Sequence, residues 1–233
     1  AVSVVLGMGW TDSSLNKYVN DYLLESYQKY PDKIVPVTGI VPTSGNQGIY
    51  EAERCLSEGS RGFGEIHAYS QSNILIDSDL MDPYTVMLEE RDYPLIVHGS
   101  EPVGHQYRGK GNTGPTALES FVGKFPNVKI ILAHWGAGLP FYELMPEISS
   151  TFANVFYDSA ATTLLYSEKV FEIVEKVVGP KRILFGSDYP LVQPKEIIGQ
   201  ISRSGFKPDV KSLILSNNAS ELFSINFDKH LKP

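Results

Sequence analysis

Apolar residues fall along the chain in short, almost continuous runs: VSVVL from Val2, IVPVTGIV from Ile34, GFGEI from Gly62, PLIV from Pro94, VKIILA from Val128, NVFYD from Asn154 and RILFG from Arg182. Successive runs start 26 to 34 residues apart, the length that one strand, one crossover helix and two connections occupy in a parallel sheet. Most runs do not alternate with polar residues, which predicts strands covered on both faces. Between the runs the apolar spacing lengthens to the helical period. Leu15, Val19, Tyr22, Leu23 and Tyr27 are predicted to share one helix face, opened by Asp12 or Ser13 and closed before Pro31. Ala117, Leu118, Phe121 and Val122 repeat the pattern up to Pro126, and Val170, Phe171, Val174, Val177 and Val178 repeat it up to Gly179-Pro180.

Seven strands alternating with helices fit either a (β/α) barrel or an open doubly wound sheet. An open sheet usually carries a glycine-rich phosphate turn after its first strand, and LGMGWTD holds only part of that fingerprint. A barrel predicts polar residues just past the C-terminal ends of several strands. They are found there: Trp10 and Asp12 after the first run, Glu65 and His67 at the third, His98 at the fourth, His134 at the fifth, Asp158 at the sixth and Asp188 at the seventh. Of five histidines, only His230 lies elsewhere, since His105 sits in the loop after His98. No linker or low-complexity tract interrupts the pattern, so residues 1–233 read as one domain.

The net charge of −7 removes the basic surplus that a nucleic-acid partner requires. The longest apolar runs are too short to cross a bilayer, and Ala1 leads into VSVVLG without a basic stretch, so a cytoplasmic location is expected. The single cysteine, Cys55, lies in a helical pattern and reads as a buried thiol. Asn218-Ala219-Ser220 matches a glycosylation sequon by chance on this reading. A small-molecule substrate is the expected partner, with self-association left open.

Strand ends on one face of a barrel converge on one mouth. Imidazoles and carboxylates gathered there suit two tasks: holding a divalent cation and moving protons near neutral pH. Ser100 and Ser187 lie close by, but neither sits in a nucleophile elbow, so a serine triad ranks low. The loop Gly99–Gly114 is long for a βα connection and is expected to fold over the mouth, bringing Glu101 and His105 beside the metal position. Its basic residues, Arg108 and Lys110, mildly favour an anionic substrate.

IILAHWGAGLP and RILFGSDYP resemble the sixth- and eighth-strand motifs of the amidohydrolase superfamily. The branch is the one holding amidohydrolase-related metal-dependent hydrolases and the aminocarboxymuconate-semialdehyde and γ-resorcylate decarboxylases. LIVHGSEPVGHQYRGKG is similar to a fifth-strand motif of that branch, and ILSNNASELFSI to its closing helix, so the resemblance spans Val2 to Ile225. It implies a TIM-type (β/α)8 barrel and a divalent metal ion, zinc by expectation. It implies His98 and Asp188 as metal ligands and His134 and Asp188 as the proton-transfer pair. Glu65, His67, Glu101, His105, Tyr107 and Lys110 would line the substrate pocket. The superfamily's first strand ends in His-x-His; this sequence has no such motif, and VSVVLGMGW resembles the second strand. The expectation is therefore a barrel apparently lacking its first βα unit, with a segment missing at the N-terminal side. Its metal would be held weakly unless His67, His105 or Glu101 adds a ligand. The first functional reading is a metal-dependent hydrolase acting on an amide, ester or lactone bond. The second is a metal-dependent decarboxylase using the same site, and the third a barrel that has lost catalysis and serves as a binding or scaffold protein.

Overall fold

The computed structural model describes residues 2–72, 78–107 and 109–225; Arg108 and His230 lie outside the described residues. Its strands are β1 (Ser3–Leu6), β2 (Ile34–Val37), β3 (Phe63–Ile66), β4 (Leu95–Val97), β5 (Ile130–Leu132), β6 (Val155–Asp158) and β7 (Ile183–Leu184). Each begins within two residues of a predicted run. Each pairs in parallel with the next, with a bridge between Thr38 and Phe63 joining β2 to β3. The order is that of a (β/α) barrel wall, with β1 and β7 at the two ends and no antiparallel member among the described residues.

Side chains along the strands sort into two cores. Leu95 and Val97 of β4, Ile130 and Leu132 of β5, and Val155 and Tyr157 of β6 face outward. There they meet Leu118, Phe121 and Val122 of the Pro115–Lys124 helix and Val170, Phe171 and Val174 of the Lys169–Val178 helix. The intervening residues Ile96, Ile131 and Leu184 cluster with Val35, Val37, Leu222 and Phe223. Strands that are not neighbours share this second cluster, so it is the barrel interior. Each such side chain, fully buried, contributes roughly 1.5–3 kcal/mol.

The helix α1 (Ser13–Lys29) is capped as expected, with the Asp12 carboxylate accepting from the Leu15 amide at 2.8 Å. Its inward face differs from the expected one. Leu15 and Tyr22 are 40% and 65% exposed, and the buried positions are Asn16, Asn20, Leu23 and Leu24. The reason is a polar clasp on the chain just past β2. Asn16 and Asn20 donate to the Gly39 carbonyl at 3.0 and 3.1 Å, and the Gly39 amide donates back to Asn20 at 2.9 Å. Saturating a buried backbone group outweighs the transfer energy of one leucine that keeps part of its surface in water.

Cys55, in α2 (Asn46–Ser57), is buried as expected, and burial with the Glu51 charge pushes its thiol up to about 12, which removes it as a nucleophile. No helix among the described residues is long and apolar enough to cross a membrane.

The ends of the strand order are treated differently. Ile183 and Phe185 turn their main-chain groups away from β6. Those groups are met by the Asn218 side chain, donating to the Ile183 carbonyl at 2.8 Å, and by the Ile214 carbonyl, accepting from the Phe185 amide at 2.9 Å. On β1, Ser3 and Gly7 bond to the β2 side, and the half-buried Val4 and Leu6 present their main chain to the side where no described strand pairs.

Candidate active site

Three strand ends bring a carboxylate and two imidazoles together. The β3–β4 register slips by one residue between Phe63 and Ile66, so that both face outward and Glu65 between them turns to the mouth; bulges re-aim side chains in this way. Glu65 Oε1 lies 2.7 Å from His98 Nδ1 and 3.5 Å from His134 Nε2. His98 follows β4 directly. His134 follows β5 in a turn whose backbone is left-handed at His134, Trp135, Gly136 and Ala137. Asp158 at the end of β6 braces this turn by accepting from the His134 amide at 2.9 Å, and Thr162 does so by accepting from the Trp135 indole at 2.9 Å. Gly99 is required here for close approach: a Cβ on it would stand 2.9 Å from the Ala137 nitrogen.

The charges are strongly coupled. Burial disfavours a charge on His134, but the bond and charge of Glu65, with Asp158 and Asp188, override it and hold the imidazole well above the usual histidine value. Burial also disfavours ionised Glu65, and the two histidines override it, holding that carboxyl far below its usual value. Asp188 moves the opposite way: burial, aided by the charge of Glu65, raises its carboxyl against the pull of His134 and His98. His67 is lowered by burial and by His98, and so stays neutral at neutral pH.

The loop from Gly99 to Gly114 crosses this cluster. Ser100 anchors it: its amide donates to the Thr113 carbonyl at 3.0 Å, and its hydroxyl receives the Gly111 amide at 3.1 Å and contacts His98 Nε2 at 3.2 Å. Ser100, His98 and Glu65 thus have the connectivity of an acyl-transfer triad. Yet Ser100 is 1% exposed and its oxygen already accepts a hydrogen bond, so the hydroxyl is a brace with no room to attack. The His67 ring stacks on His98 at 4.2 Å, and its Nε2 contacts the Gly109 carbonyl at 3.3 Å.

Of the expected site residues, Glu65, His67, His98 and His134 come together, and Glu65, expected only to line the pocket, contacts both His98 and His134. Asp188 and Tyr107 lie within electrostatic reach of the group. Glu101 is buried near Tyr107 and Tyr166, whose phenols its charge helps to push up after burial. His105 is not part of the cluster: its side chain is exposed against the Tyr107 ring, 5.6 Å away. Lys110 spends its ammonium on the loop itself, donating to the Val103 and His105 carbonyls at 2.8 and 3.1 Å.

Two contributors were missed in the sequence. Tyr166 lies eight residues beyond the end of β6. Gln71 ties three strand-end loops together, accepting from the His67 amide and donating to the Trp10 and Ile40 carbonyls. Neither position follows directly from a strand end, which was the signal used.

The donor set fits a divalent ion. One ligand-type atom each from Glu65, His98 and His134 lie within 4.8 Å of one another. Two imidazole nitrogens and a carboxylate oxygen suit borderline divalent metals. The trio draws in Glu65, which was expected only to line the pocket, and His134, which was expected as an acid–base group; Asp188 stands outside it.

A family model described as amidohydrolase matches residues 10–225. The 2-amino-3-carboxymuconate-6-semialdehyde decarboxylase of Dictyostelium discoideum is 22% identical over 250 residues, covering 93% of this chain and 68% of that protein. The gamma-resorcylate decarboxylase of a Polaromonas species is 23% identical over 248 residues, covering 89% of this chain and 75% of that protein. Among solved structures, a 5-carboxyvanillate decarboxylase of Novosphingobium aromaticivorans, with bound manganese and a nitrobenzoic acid, matches with a TM-score of 0.75 at 19% identity. That match covers 93% of this chain and 74% of the other and is a likeness of fold. With its parallel barrel strands and a family match over nearly its whole length, the chain belongs to the amidohydrolase family of enzymes.

Proposed function

We propose that the protein is a metal-dependent, non-oxidative decarboxylase of a small carboxylic acid. The observation that carries this reading is Asp188, a carboxyl raised by burial beside an imidazole–carboxylate group suited to a divalent ion. The two relatives and the structural neighbour described above are decarboxylases, which favours the same reading. Glu65, His98 and His134 would hold the ion, zinc or, as in the carboxyvanillate enzyme, manganese, and its positive charge would stabilise negative charge developing on substrate oxygens. Asp188, whose carboxyl burial raises above the usual aspartate value, would supply the proton to the carbon bearing the departing carboxylate. The bond from that carbon to the carboxylate then breaks, its electron pair stays with the substrate, and carbon dioxide leaves. Overall R–COO⁻ and H⁺ become R–H and CO2, and solvent reprotonates Asp188. The loop over His67 and His98 keeps bulk water from the reacting carbon.

Hydrolysis of an amide, ester or lactone is the second reading. It needs the same residues, but with Asp188 accepting a proton, and a raised carboxyl is more readily protonated at rest. The test is to load the protein with zinc or manganese and measure carbon dioxide release from hydroxybenzoates and amino-substituted unsaturated diacids. Asp188→Asn should lower turnover by about 10²- to 10⁴-fold with the thermal midpoint kept near wild type. Cleavage of lactones or amides by metal-loaded protein that releases no carbon dioxide from any acid would overturn the decarboxylase reading.

A further inference from the structure

The mouth holds a buried group that its proton transfer does not use. Both carboxylate oxygens of Glu101 are shut off from solvent, and neither accepts a hydrogen bond of normal geometry among the described residues, with the Tyr166 phenol as a weakly aligned neighbour that can donate to only one of them. A buried carboxylate left this way costs on the order of 1–3 kcal/mol or more. Glu101 follows Ser100, whose hydroxyl contacts His98 Nε2, so the main chain places it one residue from the brace of the ion-binding cluster. Tyr107 is within electrostatic reach of both regions: burial, and then the charges of Glu101 and Asp188, raise its phenol. Tyr166 has its hydroxyl 3.7 Å from where a Cβ on Gly138 would sit, next to the His134 turn.

We propose that Glu101 is a specificity residue: its carboxylate receives a hydrogen-bond-donating group, an amine or a hydroxyl, that the substrate acid carries apart from the carboxylate it loses. This rests on the decarboxylase reading above. The donor reaches the carboxylate by displacing Tyr107, which is half-buried and packs against His105 and Lys110 on the exposed part of the loop. An acid with a methyl group in the donor's place leaves Glu101 dry and unpaired. A site built to meet a polar group rejects such an analogue far more strongly than it rejects one with an altered methylene.

The experiment is calorimetric binding of matched benzoates to metal-loaded protein: the 3- and 4-hydroxy, 3- and 4-amino, and 3- and 4-methyl acids. The tightest hydroxy or amino acid should bind at least about 10-fold more tightly than its methyl counterpart, and the hydroxy and amino arms identify which donor is preferred. Glu101→Leu should erase that ratio. It should also raise the thermal midpoint of the ligand-free protein, because it removes an unpaired buried carboxylate. Equal binding of all six acids to wild type, or a ratio that survives Glu101→Leu, overturns the assignment and leaves the decarboxylase reading standing. A midpoint that falls in both Glu101→Leu and Glu101→Gln shows a structural partner for the carboxylate and also overturns it. Failure of all six acids to bind overturns the assignment, while the decarboxylase reading is decided separately by carbon dioxide release.

Discussion

Two buried clusters, each built around a glutamate, lie in different parts of this barrel. On the outer side of the strands, Glu143 is fully enclosed and accepts from the Tyr157 hydroxyl at 2.6 Å and from both terminal nitrogens of Arg182. Arg182 spends its remaining reach on the Phe152 and Val178 carbonyls, at 2.8 and 3.2 Å. At the mouth, Glu65 is shared between two imidazoles, while both oxygens of Glu101, Nδ1 of His67 and the Trp10 indole nitrogen are buried without a hydrogen-bond partner of normal geometry among the described residues. What matters in the comparison is saturation. A network closed on itself holds elements together, and one left open is poised for something that comes from outside.

The sharpest way to break this comparison is Arg182→Leu. It strands Glu143 and should lower unfolding free energy in urea by about 3–5 kcal/mol, with turnover per folded molecule unchanged. A loss below about 1 kcal/mol would mean that the closed cluster is not what holds the outer layer. The next effect is on the open cluster. Zinc or manganese at about 100 times its dissociation constant should add about 2.7 kcal/mol of stability. Arg182→Leu should gain the same increment and Glu65→Gln little of it, read from thermal midpoints with and without metal.

The smallest effect belongs to a half-buried cluster between these extremes. Burial alone would raise the Glu51 carboxyl, but hydrogen bonds from Arg54 and Asn20 and the Arg54 charge hold it below its usual value. A depressed folded-state value gives stability that is present above the unfolded value of 4.5 and lost as the pH falls through the folded one. Glu51→Gln should flatten that acid limb by at most about 1 kcal/mol, seen as a smaller drop in urea midpoint between neutral and acid pH.

The strands were legible because burial on both faces writes itself as unbroken Val and Ile runs, closed by Gly, Pro or a charged residue. The convergence of His98 and His134 followed from topology, since each follows a strand end. What failed has physical causes. Asparagine counts as polar in any periodicity, so the clasp of Asn16 and Asn20 on Gly39 was invisible and the face of α1 came out wrong. The slip between Phe63 and Ile66 depends on the partner strand, and only the pairing reveals that Glu65 faces inward. His105 reads like Glu101 in sequence, but Lys110 ties the loop carbonyls in a way that leaves its ring exposed.

The left-handed turn after β5 also sets an order of events. Non-glycine residues disfavour that backbone by about 1–2 kcal/mol each, and His134, Trp135 and Ala137 all adopt it. Its two braces, Asp158 and Thr162, come 24 and 27 residues later in the chain. At roughly 5–20 residues per second of synthesis, His134 leaves the ribosome seconds before anything exists to aim it. The turn that aims His134 can therefore be fixed only once β6 has been made, so the mouth takes its shape well after the strand that carries it.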